Sequence, residues 1–289
     1  MSSEKQKTIF VAGATGRQGG AVTRSLLNKG FKVKTLARDP ASANAQQLKN
    51  FGAEIITGDL NKPASFSDHI KTADGVFCVL TFKNGTDIEM KQGFALSDLA
   101  KEHNIHHFLY SSVIAADLHT GIPHWESKYQ IENHIKKIGL PYTIIRPTSL
   151  YENFLIPQLK KRILKGNFPS PVNKEVVQQF ISVKDIGEIS AAIFMNRDIY
   201  INKTFAIAAE QLSIGDVVNT FSKAMGNEIR YQKIPKMIVR LVLGKTVFKI
   251  VKWVNENDGV FVKDIGAFKQ EFPGMIPLED WIKIHFTSS

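Results

Sequence analysis

The chain has 289 residues, 43% hydrophobic and 22% charged, with a formal net charge of +10. That length suits one large α/β domain or a large domain with a smaller cap, and the composition excludes a disordered or fibrous chain. The lone Cys78 excludes an internal disulfide framework and fits a reducing compartment, by default the cytoplasm; the polar start, Met1 to Thr8, has no apolar signal core.

In chain order, apolar runs alternate with helix-length segments. A strand at Thr8–Gly13 leads into a helix at Gln18–Lys29, and Lys32–Ala37 into Ala41–Phe51. Ala53–Thr57 precedes a helix at Pro63–Ile70, Gly75–Phe82 one at Asp87–His103, and His107–Ser111 one at Ser127–Ile138. Tyr142–Arg146 is the sixth strand. These strands are rich in Val, Ile and Phe with little strict alternation, as expected when helices cover both sheet faces. The pattern predicts an α/β fold with a doubly wound parallel Rossmann sheet over residues 1–150.

After Pro147 the regularity fades. The run Lys165-Gly-Asn-Phe-Pro-Ser-Pro171 reads as a loop, Asp185–Met195 as a helix and Thr204–Ala208 as a strand. The remainder reads as mostly helical, ending in Glu279–His285. Residues 151–289 are therefore expected to form a smaller, mainly helical substrate or cap region that partly completes the sheet and caps the cleft.

The most apolar late stretch, Ile238 to Val254, is broken by Arg240, Lys245, Lys249 and Lys252, so no membrane span is expected. From Arg230 to Lys252 there are seven basic residues and no acidic one. The plainer reading is a solvated amphipathic helix pair broken at Gly244. The sharper one is a contact face for an acidic partner, nucleic acid or anionic lipid; no stacking motif or zinc-ligand spacing supports nucleic acid.

The strongest motif is Ile9-Phe-Val-Ala-Gly-Ala-Thr-Gly-Arg-Gln-Gly19. Gly13, Gly16 and Gly19, between a strand and a helix, suit a tight turn whose amides receive a pyrophosphate. The second strand ends at Arg38, where dinucleotide-binding folds read the ribose, and arginine there suits a 2′-phosphate. Arg17 is placed to clasp the same phosphate, so NADP is favoured over NAD. Asp39 argues the other way unless it caps the next helix. The Gly58-Asp59-Leu60 step is expected along the adenine.

The run Gly13-Ala-Thr-Gly-Arg-Gln-Gly19, the turn Ala37-Arg-Asp-Pro40 and Gly58-Asp59 together resemble the NmrA-like family of atypical short-chain dehydrogenase/reductases. Met90-Lys-Gln-Gly93, Tyr110-Ser-Ser112, His124-Trp-Glu-Ser-Lys128 ahead of a helix, Arg146-Pro147, Tyr151-Glu-Asn-Phe154, Glu271-Phe-Pro-Gly274 and Leu278-Glu-Asp-Trp281 extend the likeness along the chain. The resemblance implies cofactor contacts from Gly13, Ala14, Thr15, Gly16, Arg17, Gln18, Gly19, Arg38, Asp59 and Leu60. It adds Thr81 at the end of the fourth strand, Lys91, Lys128, and Tyr151 to Asn153 on the nicotinamide side. Lys91 and Lys128 read equally as surface lysines, and Tyr151 as cap core.

Ordinary short-chain dehydrogenases carry a tyrosine four residues before the lysine; here that position is His124. Next to an ammonium a histidine is mostly neutral at pH 7 and a poor proton donor. Lys128 and His124 are the candidate catalytic residues, and Ser111 or Ser112 could hold a substrate oxygen. The reading favours an NADP(H)-binding, redox-responsive regulator with weak catalysis and a protein partner. The alternative is an NAD(P)H-dependent reductase of quinones or similar carbonyl acceptors. His103, His106 and His107 cluster without a cysteine or carboxylate at ligand spacing, so no metal is expected.

Overall fold

The structure is a computed structural model that describes residues 6–287 apart from Leu243, Asp258 and the Lys236 side chain. Residues 1–5 of the polar start lie outside the described residues. The chain runs β1 (Thr8–Ala12), α1 (Arg17–Asn28), β2 (Lys32–Ala37), α2 (Ala43–Asn50), β3 (Glu54–Thr57) and α3 (Ser67–Lys71). It continues through β4 (Gly75–Val79), α4 (Thr86–Glu102), β5 (His107–Ser111), α5 (Pro123–Lys137) and β6 (Tyr142–Pro147). Then follow β7 (Ser149–Leu150), α6 (Pro157–Ile163), β8 (Asn167–Ser170), β9 (Val177–Ile181), α7 (Val183–Met195), α8 (Arg197–Tyr200) and β10 (Lys203–Ile207). The last elements are β11 (Glu210–Ser213), α9 (Ile214–Met225), β12 (Arg230–Lys233), α10 (Lys236–Val242), α11 (Gly244–Glu256), α12 (Ile265–Glu271) and α13 (Leu278–Ile282).

The central sheet has seven strands in the order β3-β2-β1-β4-β5-β6-β10, and the pairings from β3 to β6 are parallel. This is the doubly wound order, which reverses direction between β1 and β4. Alternate residues explain why both faces are covered: Phe10 and Ala12 point into one core layer with Val76, Cys78, Phe108 and Ile144, while Ile9 and Val11 are buried on the other face. A ligand crevice belongs outside the carboxyl ends of β1 and β4, where the winding changes direction.

The chain divides into two compact units, residues 1–146 with 186–205, and residues 147–185 with 206–289. The second is mainly helical, but it also holds a three-stranded sheet, β11-β9-β7, and a two-stranded one, β12-β8. The stretch read as a loop at 165–171 contains β8, which pairs in parallel with β12. Pro169 is tolerated there because a two-stranded sheet leaves one edge without a bonding partner, so the missing N–H costs nothing. This unit's core is aromatic, with Phe154, Phe168, Phe221 and Trp281 meeting ring on ring. Among the described residues no helix is long and apolar enough to cross a membrane.

Candidate functional site

The glycine turn occupies the point where the sheet reverses. β1 ends at Ala12, and Gly13 follows with φ of +85°, a conformation that side chains rarely adopt. A Cβ there would lie 2.7 Å from Val79 Cγ1, at the end of β4, and closer still to the Val79 carbonyl oxygen. A Cβ on Gly19 would sit 2.8 Å from the Ala14 Cα and nearer to the Gly13 carbonyl group. Gly16 donates its N–H to the Gly13 oxygen at 3.0 Å and then serves as the N-cap of α1. With no capping side chain and no acidic residue in its first turn, α1 presents its leading amides and its positive dipole end.

The surrounding side chains are positioned by ordinary local bonds. Ala14 is buried; Thr15 is half-buried, and its carbonyl accepts 2.8 Å from the Asn44 amide at the start of α2. Gln18 is half-buried and accepts from the Ser111 hydroxyl at 2.7 Å. Arg17 and Arg38 are both exposed, Arg38 just beyond β2. Asp39 accepts from the Ala41 N–H at 2.9 Å, in the turn that leads to α2. Its carboxylate is engaged in that turn. Gly58 donates to the Ala37 oxygen at 3.1 Å, bringing the β3 end beside the root of Arg38. Asp59 accepts the Asn61 N–H at 2.9 Å, and Leu60 packs against the sheet core. β4 ends at Val79, short of the expected Phe82, so Thr81 lies beyond it, exposed, and accepts from the Lys83 N–H at 3.4 Å. Lys91 is exposed on α4.

A second group of residues meets beside this turn. The segment His124 to Lys128 does not precede its helix but opens it: α5 starts at Pro123, a residue whose fixed φ and missing donor suit a helix's first turn. His124 and Lys128 thus stand one turn apart on one face. Facing them from α4 is the fully buried Glu89. Its carboxylate takes the Ser127 hydroxyl at 2.6 Å and the Lys128 ammonium at 3.1 Å, and lies 3.9 Å from the His124 ring nitrogen. Lys128 also reaches the Leu80 carbonyl at 3.4 Å and hangs 5.5 Å over the Tyr110 ring. The helices approach this closely because Gly93, one turn on from Glu89, has no side chain: a Cβ there would lie 2.7 Å from Ile131 Cδ1.

Burial pushes the Glu89 carboxyl up, but the His124 imidazole, the Lys128 charge and the Ser127 hydroxyl outweigh it and bring it to about 2. Burial lowers His124 below the usual imidazole value; Lys128 lowers it further, and Glu89 only partly opposes them. The sequence anticipated the ammonium's effect, but burial is the larger cause. His124 is neutral at pH 7 and lies against the partly exposed Phe82 ring, 4.0 Å between centroids. Cys78 is buried and pushed up to about 12, and Tyr110 is raised by complete burial. Neither is placed to react with an external substrate.

Other candidates are engaged elsewhere. Ser112 donates to Glu132, which also holds the Arg146 guanidinium at 2.9 and 2.6 Å. In the second unit, Tyr151 is fully buried between Phe180 and Trp281 and donates to Glu210 at 2.7 Å, while Asn153 is exposed. His103 bonds Ser67 and His107 bonds Thr143, so they serve different neighbours. Among the described residues no three His, Cys, Asp or Glu are placed to hold a metal ion. Two surface depressions, about 580 Å³ beside Tyr142 and Arg197 and about 340 Å³ beside Thr8 and Lys32, lie at the amino-terminal ends of strands, away from the glycine turn. Glu89 and Phe82 were not singled out by the sequence. The only signal for Glu89 was its place four residues before Gly93.

The NmrA-like family profile matches residues 5–270. The chain belongs to the NmrA-like family. It is 27% identical to photosystem II assembly factor Ycf39 of Trieres chinensis, covering 92% of this chain and 83% of that protein. It is 28% identical to the NmrA-like family domain-containing oxidoreductase malD of Malbranchea aurantiaca, covering 81% and 77%. Among solved structures, NmrA, a negative transcriptional regulator, superposes in complex with NADP at a TM-score of 0.81 with 21% identity, over 98% of this chain and 96% of that one. The NAD complex of NmrA gives 0.83 at the same identity and coverage. Citrobacter sp. triphenylmethane reductase complexed with NADP(H) gives 0.80 at 18% identity, over 96% and 99%. These likenesses establish the fold of this NmrA-like chain.

Proposed function

We propose that this protein binds NADP(H) at its glycine turn and acts as a redox-responsive regulator with weak catalysis, working through a protein partner in the cytoplasm. The observation that carries the binding is the turn itself: Gly13 and Gly19 hold it where a Cβ would collide, and the leading amides of α1 face outward. Arg17 and Arg38 supply exposed guanidinium groups for a 2′-phosphate, and Asp39, the residue that would argue for NAD, is bonded into its own turn. NmrA, similar in fold, is known in complex with NADP and with NAD, which supports a dinucleotide ligand in either form. Lys91, Thr81 and Asp59 would line its path.

Weak catalysis follows from the Glu89 group. The bound coenzyme supplies a hydride donor; the chain must supply a proton. His124 is neutral at pH 7, and the Lys128 charge is spent on Glu89. The reductase reading is supported by the shelf of Phe82 against His124, which offers a partly exposed aromatic surface to a flat quinone-like acceptor, and by the oxidoreductase and reductase among its relatives. Calorimetry with NADPH, combined with NADPH consumption across quinones, dyes and aldehydes, tests both. Binding with little or no turnover, and an association state that changes with the coenzyme's oxidation state, is expected. Turnover near an ordinary ~10 s⁻¹ that His124→Ala or Lys128→Ala abolishes would overturn the regulator.

A further inference from the structure

The second unit carries a surface that the dinucleotide site does not use. α10 is anchored by Val239, which is buried, yet its neighbours point outward: Met237 is 76% exposed, Leu241 81% and Val242 72%, with Ile238 nearly half exposed. At about 100° per residue these four side chains fall within an arc of about 140°. A helix of a water-soluble unit normally turns such a stripe inward. α11 follows directly after Gly244 and has the complementary character. Its Val251 is buried, and Lys245, Lys249 and Lys252 lie on an exposed arc of about 60°. The Arg240 guanidinium stands 5.9 Å over the Phe248 ring, so the two helices are tied together. Over the span Arg230 to Lys252 seven basic residues occur with no acidic one.

We propose that α10 and α11 form a docking surface for an anionic phospholipid bilayer. The exposed apolar stripe enters the headgroup boundary and the neighbouring lysines meet lipid phosphates. Charge complementarity selects this occupant. A second copy of the chain would bring one basic patch against another. Nucleic acid would use the lysines but leave Met237, Leu241 and Val242 idle in water. Neither helix is long enough to span, so the contact is peripheral and reversible.

The test is co-flotation of the full chain with vesicles of phosphatidylcholine alone and of phosphatidylcholine with roughly one-third phosphatidylglycerol, at low and high salt. Wild type is expected to float with the anionic vesicles only, and salt should weaken the association. The double variants Met237→Ser/Leu241→Ser and Lys245→Glu/Lys252→Glu should each weaken it by at least ~10-fold. All four side chains are exposed, so melting temperature and circular dichroism should remain those of wild type. Several results would overturn the proposal. They are wild type that ignores anionic vesicles, equal binding to neutral ones, and an apolar variant that binds as wild type does. Capture by duplex DNA in preference to vesicles would overturn it as well and assign the surface to nucleic acid.

Discussion

At the glycine turn the groups that face outward are main-chain amides and the Arg17 and Arg38 guanidinium groups, positioned by residues whose missing side chains leave the turn room. Around Glu89, a few residues along the same edge of the sheet, the charged groups face one another: carboxylate on ammonium, hydroxyl on carboxylate. The first region presents its amides and guanidinium groups at the surface. The second has satisfied its charges internally and must break a pairing before it can act on anything else. Within one unit, outward-facing donors and an internally paired cluster thus face different energetic costs in engaging any new partner, and that difference underlies the proposed regulator with weak catalysis.

The largest effect should come from the buried pair. Glu89→Gln leaves the Lys128 ammonium without its counter-charge, and removing one partner of a buried pair costs about 3–5 kcal/mol. Urea unfolding should show this as a lower midpoint at an unchanged slope. The pH dependence has a definite sign. The Glu89 carboxyl is held at about 2 in the folded chain against 4.5 as an isolated group, so its contribution is complete above 4.5 and is lost as pH falls toward 2. The variant should lack that component of the acid limb. A variant as stable as wild type would break the comparison, because the charges at Glu89 would then not be mutually compensated.

Gly19→Ala probes the other region. Its Cβ would press on main-chain atoms of Gly13 and Ala14, which cannot swing aside as a side chain could, so the turn must open. A loss of about 1–3 kcal/mol is expected, together with NADPH affinity beyond calorimetric detection. Retained affinity would mean that the close approach of α1 to the turn is dispensable for the coenzyme.

The two regions also differed in how far they could be read from the residues. The glycine spacing, Arg38 at a strand end and the apolar runs of β1 to β6 are local signals, and each landed within a few residues of its element. Glu89 carries no such mark: its role arises from a crossing of α4 and α5 set by the missing side chain of Gly93, a contact between residues 38 apart in the chain for the Ser127 hydroxyl bond. Helix α5 begins at Pro123, ahead of the Ser127 start that the residue pattern suggests, because proline suits a first helical turn, and the earlier start puts His124 and Lys128 on one helical face. Short strands such as β8, with Pro169 in a four-residue span, lie below the length at which periodicity carries information.

Arg38→Ala should sharpen the reading of the exposed region. If the guanidinium reads a 2′-phosphate, the variant loses roughly 1.5–3 kcal/mol of NADPH binding and little for NADH, because only the former carries the dianion. Equal losses in parallel titrations would assign Arg38 to the shared diphosphate or to the fold. Salt should narrow the NADPH–NADH gap, since an exposed ion pair is screened.

The smallest expected effect tests the bond that links the helix turn to the fifth strand. Ser111 donates to Gln18 at 2.7 Å, fixing a side chain in the first turn of α1, one residue from Arg17. Ser111→Ala removes the donor but leaves a half-buried amide that water can reach, so stability should fall by only about 0.5–1.5 kcal/mol. The informative quantity is the partition of the loss. If Gln18 merely fills space, the stability change appears without any change in coenzyme affinity. If Ser111 holds Gln18 in the conformation that receives the coenzyme, NADPH and NADH should weaken together, by a few-fold, since both present the same diphosphate to α1. A loss confined to NADPH would contradict both roles, because Ser111 lies on β5 and the 2′-phosphate contact is assigned to Arg38 beyond β2.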